Sequence, residues 1–190
     1  TPDSVTLVAV TKTHPPEAVR EAFAAGVRDF GENRVQEAEA KIAATSGLGA
    51  RWHLVGHLQS NKARRAATLF GMVQSIDSVE LGLKLARAGE EAGRTVRGLV
   101  QVDLAGEETK FGLPEEELMA SLGRLRGQAG LRLEGLMVLP PFLEDQAALR
   151  PFFRRLRELR DQALGDGLIA AGELSMGMSH DFEVAVEEGA

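Results

Sequence analysis

The stretch VTLVAVTKTHPPEAVREAFAAGVRDFG, residues 5–31, decides the fold class. Val5 to Thr11 is a short apolar, β-branched run and reads as a buried strand. Pro15 and Pro16 open a helix that runs to about Ala25 and stops at Gly26. Proline is tolerated where a helix has no use for its first N–H, and glycine suits the residue just past the end. Val27 to Gly31 reads as a second strand. Two strands joined through a helix are parallel neighbours, which is the βαβ unit.

The same alternation continues outward. A helix is expected from Arg34 to Ala44, a third strand from Trp52 to Gly56, and a helix capped by Ser60 running to Phe70. Met72 to Ile76 is strand four, and Asp77 or Ser78 caps a helix that ends near Gly93. Val96 to Leu104 is strand five, and Pro114 opens a helix whose first turn holds Glu115, Glu116 and Glu117, where acids suit the dipole. Leu131 to Leu139 is strand six, Asp145 to Leu164 a long amphipathic helix, Glu173 to Met178 strand seven, and Asp181 to Glu188 a last short helix. Regular alternation implies a parallel sheet covered by helices, either an open doubly wound sheet or a closed (β/α)8 barrel. The count of seven strands is one short of a barrel, and the chain ends at Ala190 where an eighth would begin. The expectation is one α/β domain over residues 1–190: a (β/α)8 TIM barrel without its leading helix and its last strand.

Bulk properties narrow the function classes. A net charge of -6 gives no electrostatic reason to expect nucleic acid as a partner. Cysteine is absent, which excludes disulfides and thiolate metal sites, and the four histidines show no metal-ligand spacing. No segment resembles a signal peptide or a membrane span. Tyrosine is absent as well.

The residues able to do chemistry fall just after strand ends. Lys12 follows strand one, Glu32 and Asn33 strand two, His57 strand three, Ser75 and Asp77 strand four, and Asp103 strand five. Met137 lies near the end of strand six, and Ser179 and His180 follow strand seven. In a parallel barrel these positions share the C-terminal mouth, where active sites sit. Each has a bland alternative. Lys12 is either a solvated lysine or an amine whose partial desolvation readies it for imine chemistry. Asn33 either caps a helix or donates to a ligand oxygen, and His57 is either structural or an acid–base group. Ser175-Met176-Gly177-Met178-Ser179 offers backbone N–H groups and a hydroxyl to a phosphate, or simply an N-cap at Ser179. Lys110-Phe111-Gly112 reads as a loop.

Six blocks together resemble a known family. Val8-Ala9-Val10-Thr11-Lys12 is followed by Gly31-Glu32-Asn33-Arg34-Val35-Gln36-Glu37, then by Trp52-His53-Leu54-Val55-Gly56-His57-Leu58-Gln59-Ser60-Asn61-Lys62. Lys110-Phe111-Gly112, Gly135-Leu136-Met137 and Leu174-Ser175-Met176-Gly177-Met178-Ser179-His180-Asp181 complete the set. In this order the blocks span essentially the whole chain and resemble the pyridoxal 5′-phosphate (PLP) homeostasis proteins, the YggS/PROSC family. The resemblance implies a single barrel like the N-terminal domain of alanine racemase. It implies that Lys12 is the Schiff-base lysine, that Ser179 contacts the cofactor phosphate, that Asn33 lies near the ring or its lysine, and that Met137 and His57 line the pocket. In that family a further strand follows, with a Val-Arg-Ile-Gly-type motif whose arginine faces the pyridine nitrogen. That motif has no counterpart among these residues.

An arginine beside the ring nitrogen would keep it unprotonated and so weaken the ring as an electron sink. Racemisation on the alanine racemase pattern also needs a tyrosine as second base. The resemblance therefore implies a non-catalytic PLP carrier acting in intracellular PLP homeostasis. A cytoplasmic monomer is expected, with PLP and apo PLP-dependent enzymes as its partners. The alternatives are a PLP-dependent amino-acid racemase and a phosphosugar enzyme in which Lys12 forms an imine with substrate.

Overall fold

In the computed structural model the described residues are 4–106 and 111–190. The strands are β1 (Val8–Val10), β2 (Asp29–Glu32), β3 (Arg51–Leu54), β4 (Met72–Ile76), β5 (Val96–Asp103), β6 (Leu113–Pro114), β7 (Leu131–Val138) and β8 (Glu173–Ser175). The helices are α1 (Pro16–Ala24), α2 (Val35–Ala44), α3 (Ala63–Leu69), α4 (Val79–Glu91), α5 (Leu118–Leu125), α6 (Arg150–Gly165) and α7 (Phe182–Glu187). All strand pairs are parallel, in the order β1-β2-β3-β4-β5-β7-β8, with β6 paired to β5.

Alternation along the strands sorts side chains between two faces. Phe30, Leu54, Val73, Val100, Val102, Leu136 and Val138 join the main core with the helix residues Leu85, Leu122, Phe153 and Leu156. Met72, Leu99 and Met137 form a separate cluster on the other face. His53 and Gln74 share that inner face, and Ser175 Oγ on β8 donates to Gln74 Oε1 on β4 at 2.7 Å. Strands far apart in the sheet order therefore meet across its interior, and the sheet is curled as a barrel is. Among the described residues β1 and β8 do not pair, so it is curled but not closed.

Local signals explain the elements. Every residue of β4 is buried, as expected for a parallel strand covered on both faces. Ser78 caps α4, accepting from Leu81 N at 3.2 Å. In α6, Phe153, Leu156, Leu159 and Ala163 recur at helical spacing, and all are buried.

Several boundaries differ from the sequence reading. Strand one begins at Val8, because only Val8–Val10 find a partner, opposite Asp29–Gly31. Strand seven ends at Ser175 for the same reason. Ser60 is not a helix cap. It lies in a 3-10 turn, Ser60–Lys62, and its hydroxyl accepts from Lys84 Nζ at 3.0 Å. Pro114 does not open a helix directly: with Leu113 it forms β6 against Val102 and Asp103, and α5 starts at Leu118.

Candidate functional site

The C-terminal strand ends form the mouth of the curled sheet. Lys12 follows β1 in the turn that His14 N closes on the Thr11 carbonyl at 3.0 Å. Lys12 is exposed, and its side chain makes no hydrogen bond or ion pair among the described residues. The partial desolvation expected for it is thus not provided by the chain.

Asn33 follows β2 and is half-buried. It does not cap α2: Arg34 occupies that position, without a side-chain cap bond. The Asn33 side chain has no hydrogen-bond partner among the described residues, so its amide is free for a ligand. Gly56 packs directly on its backbone, since a Cβ at position 56 would fall 2.4 Å from Asn33 O. That approach joins the β2 and β3 ends.

His57 is oriented from two sides. Its Nδ1 lies 2.9 Å from Asp77 Oδ2 at the end of β4, and its ring stacks on Phe111 with centroids 3.6 Å apart and planes 11° from parallel. A carboxylate only accepts, so Nδ1 carries the proton and Nε2 has no partner. Phe111 is held in turn by Gln101 Nε2, which donates to its carbonyl at 2.7 Å. Lys110 lies outside the described residues. Sequence reasoning treated Phe111 as loop, because only the tertiary fold brings it over His57.

Met137 is buried with Met72 and Leu99 in the floor beneath the mouth. It pairs in register with Ser175, where the loop after β8 begins. Gly177 takes φ 91, a conformation that glycine allows. Ser179 is exposed and caps nothing; Asp181 occupies the N-cap of α7, and its Oδ1 instead accepts from Met178 N. The amides of Gly177, Ser179 and His180 have no hydrogen-bond partner among the described residues. Buried Asp181 Oδ2 lies 3.4 Å from His180 Nε2, an ion-pair distance without hydrogen-bond geometry.

Below the floor runs a chain of polar contacts that sequence reasoning missed. Arg51 donates to both oxygens of Asp29, and Asp29 Oδ1 accepts from His53 Nε2 at 2.9 Å. His53 Nδ1 meets Gln74 Nε2 at 2.9 Å, and Gln74 Oε1 takes the Ser175 hydroxyl. Burial pushes the His53 imidazole below its ordinary range; the bond and charge of Asp29 oppose this, while Arg97 and Arg51 add to it. Neutral His53 then donates to Asp29 and accepts from the Gln74 amide. Burial alone would raise the Asp29 carboxyl, but its bonds to Arg51 and His53 outweigh that and hold it low. The only signal in the sequence was polar residues at alternate positions in otherwise apolar strands.

The mouth therefore gathers an unpaired primary amine, a free side-chain amide, an oriented imidazole and a loop of unbonded N–H groups. Among the described residues no cluster of His, Cys, Asp or Glu could hold a metal ion, and no helix is long and apolar enough to cross a membrane.

Known proteins resemble this chain in sequence and fold. The family described as alanine racemase, N-terminal domain, matches residues 1–188. The pyridoxal phosphate homeostasis protein of Aquifex aeolicus is 40% identical over 184 residues, covering 97% of this chain and 81% of that protein. The protein of the same name from Pseudomonas aeruginosa is 42% identical over 189 residues, covering 100% of this chain and 80% of that one. The structure of PipY from Synechococcus elongatus with PLP bound superposes with a TM-score of 0.93 at 42% identity, over 100% of this chain and 89% of that one. An alanine racemase from Clostridium difficile, in complex with cycloserine, shares the fold at TM-score 0.76 and 13% identity, over 90% of this chain and 48% of that one.

Proposed function

The chain belongs to the alanine racemase N-terminal domain family, with the pyridoxal phosphate homeostasis proteins among its relatives, and on that premise we propose that it binds PLP in the barrel mouth through Lys12 and serves PLP homeostasis as a carrier. The observation that carries this reading is an exposed, unpaired lysine amine on the same face as a loop of unbonded amides.

The residues fit the group. PLP, when bound, supplies an aldehyde that condenses reversibly with a primary amine, releasing water. Lys12 provides that amine. Ser179, with the free amides of Gly177, Ser179 and His180, provides donors for a phosphate, as backbone N–H groups in such loops do. Asn33 offers an unused side-chain amide at the end of β2, and glycine at position 56 lets the ends of β2 and β3 close on one another there. His57, fixed by Asp77 and Phe111, and Met137 in the floor bound the rest of the pocket.

The carrier reading rests on what accompanies Lys12. The chain has no tyrosine to act as a second base. An exposed Lys12 suits a site that loads and releases its cofactor, and apo PLP-dependent enzymes are the recipients we propose. A monomer in the cytoplasm fits that role. A racemase reading has one group in its favour, the unpartnered Nε2 of His57. Turnover of alanine or serine at enzyme-like rates would establish that reading and overturn the carrier.

The decisive experiment is an absorption spectrum of the protein with PLP, before and after borohydride, with Lys12→Ala as control. A visible band that reduction fixes onto the chain, lost in the variant, is the expected result. A protein that stays colourless with added PLP overturns the reading.

A further inference from the structure

The end of β1 is held by a buried ion pair that the proposed chemistry leaves unused. Lys41 in α2 and Glu32 at the end of β2 have side chains only 8% and 0% exposed, with Nζ 2.5 Å from Oε1. Both reach Thr11. Its hydroxyl donates to Glu32 Oε1 at 2.6 Å, and Lys41 Nζ donates to its carbonyl at 2.6 Å. Thr11 N donates to Gly31 O at 2.9 Å, and His14 N donates to the Thr11 carbonyl at 3.0 Å. Every polar group of Thr11 is thus engaged, and its carbonyl belongs to the peptide group that supplies the nitrogen of Lys12. Just beyond Lys12, Thr13 takes φ 66, a left-handed conformation uncommon for a β-branched residue.

The Lys12 side chain makes no polar contact of its own, so its backbone is the part of it that the surrounding bonds hold in place. Stability alone does not call for an ion pair here. An apolar pair of similar volume is often as stable, and Glu32 Oε2 is left buried without a partner. We propose that Glu32 and Lys41 are positioning residues for Lys12: they fix the Thr11–Lys12 peptide plane and so the direction in which the amine enters the mouth. This inference rests on the reading of Lys12 as the cofactor amine.

The test separates aim from fold. The double variant Glu32→Leu/Lys41→Met removes both charges together, which avoids stranding one. Thr11→Val, with Thr11→Ser as its conservative partner, removes the hydroxyl contact without touching the charges. Three quantities are read: the rate at which PLP and borohydride label Lys12, the affinity for pyridoxine 5′-phosphate, which lacks the aldehyde, and hydrogen exchange at the bonded Thr11 and His14 amides in the ligand-free protein. We expect the double variant to bind pyridoxine 5′-phosphate as the unsubstituted protein does, while labelling slows roughly ten- to a hundredfold, as misplaced reacting groups do. Exchange at the Thr11 and His14 amides should quicken, Thr11→Val should slow labelling, and Thr11→Ser should restore it. Labelling at the unsubstituted rate in both the double variant and Thr11→Val overturns the proposal. So does a parallel fall in labelling and in pyridoxine 5′-phosphate affinity, which marks a merely structural role. Absence of label on Lys12 in the unsubstituted protein would instead overturn the functional reading, and this inference with it.

Discussion

Gly56 has no side chain because the backbone of Asn33 occupies the space. A Cβ there would lie 2.4 Å from Asn33 O and 2.6 Å from its Cα, and neither atom can swing away as a side-chain tip could. We predict that Gly56→Ala lowers stability by about 1–3 kcal/mol, the usual cost of overpacking, read from the urea midpoint. Because Asn33 must shift, affinity for pyridoxine 5′-phosphate should fall in the same variant. Unchanged affinity would show that Asn33 is not at the ligand. The sequence named Asn33 and Lys12 by their place after strand ends, but its residues alone left Asn33 open between helix cap and ligand donor. An asparagine next to a helix start has two uses, and only the position of Arg34 at the cap decides between them.

At the scale of elements, β8 is three residues long, yet it leads into the loop whose amides at Gly177, Ser179 and His180 are unbonded among the described residues. Besides its ladder to β7, it is tied across the interior by the Ser175–Gln74 hydrogen bond of 2.7 Å. Ser175→Ala would leave buried Gln74 Oε1 without a donor. The expected loss is about 1–3 kcal/mol, the desolvation of an orphaned acceptor, measured by urea unfolding. If the loop depends on that tie, phosphate-bearing ligands should bind more weakly too, and hydrogen exchange in residues 176–180 should quicken. This bond was not legible in the sequence, because it joins residues 101 positions apart whose pairing follows from sheet curvature.

Across the whole molecule, the two ends of the sheet do different work. The proposed site uses the C-terminal strand ends, whereas charged pairs gather at the starts. Asp29 and Arg51 open β2 and β3, and Arg97 near the start of β5 meets Glu134 at 2.9 Å and Glu173 at 3.0 Å. His53 belongs to this base, and its imidazole is held below its ordinary value of 6.5 mainly by burial. In the unfolded chain His53 takes up a proton as pH falls through 6.5, while the folded chain resists it. Its contribution to stability is therefore whole above pH 6.5 and is lost as pH falls toward the depressed folded value. Asp29, held below 3.8, adds a second loss of the same sign at lower pH. Melting temperature should thus decline from pH 6.5 downward, and His53→Gln should flatten the part of that decline above the carboxylate range. A slope that persists unchanged in the variant would assign it to another group.

The order of elements, the parallel sheet and the gathering of Lys12, Asn33, His57, Met137 and Ser179 at one end followed from the sequence by itself. They depend on local signals: apolar runs, prolines at helix starts, glycines at helix ends, and the rule that strand ends in such a sheet share a face. Only the tertiary structure decided what holds these residues. Phe111 over His57, Lys41 on the Thr11 carbonyl and Ser175 on Gln74 are contacts between distant segments. They depend on how far the sheet curls and on which helix lies over which strand. Those properties come from the packing of the whole core, and no single segment of the chain carries them.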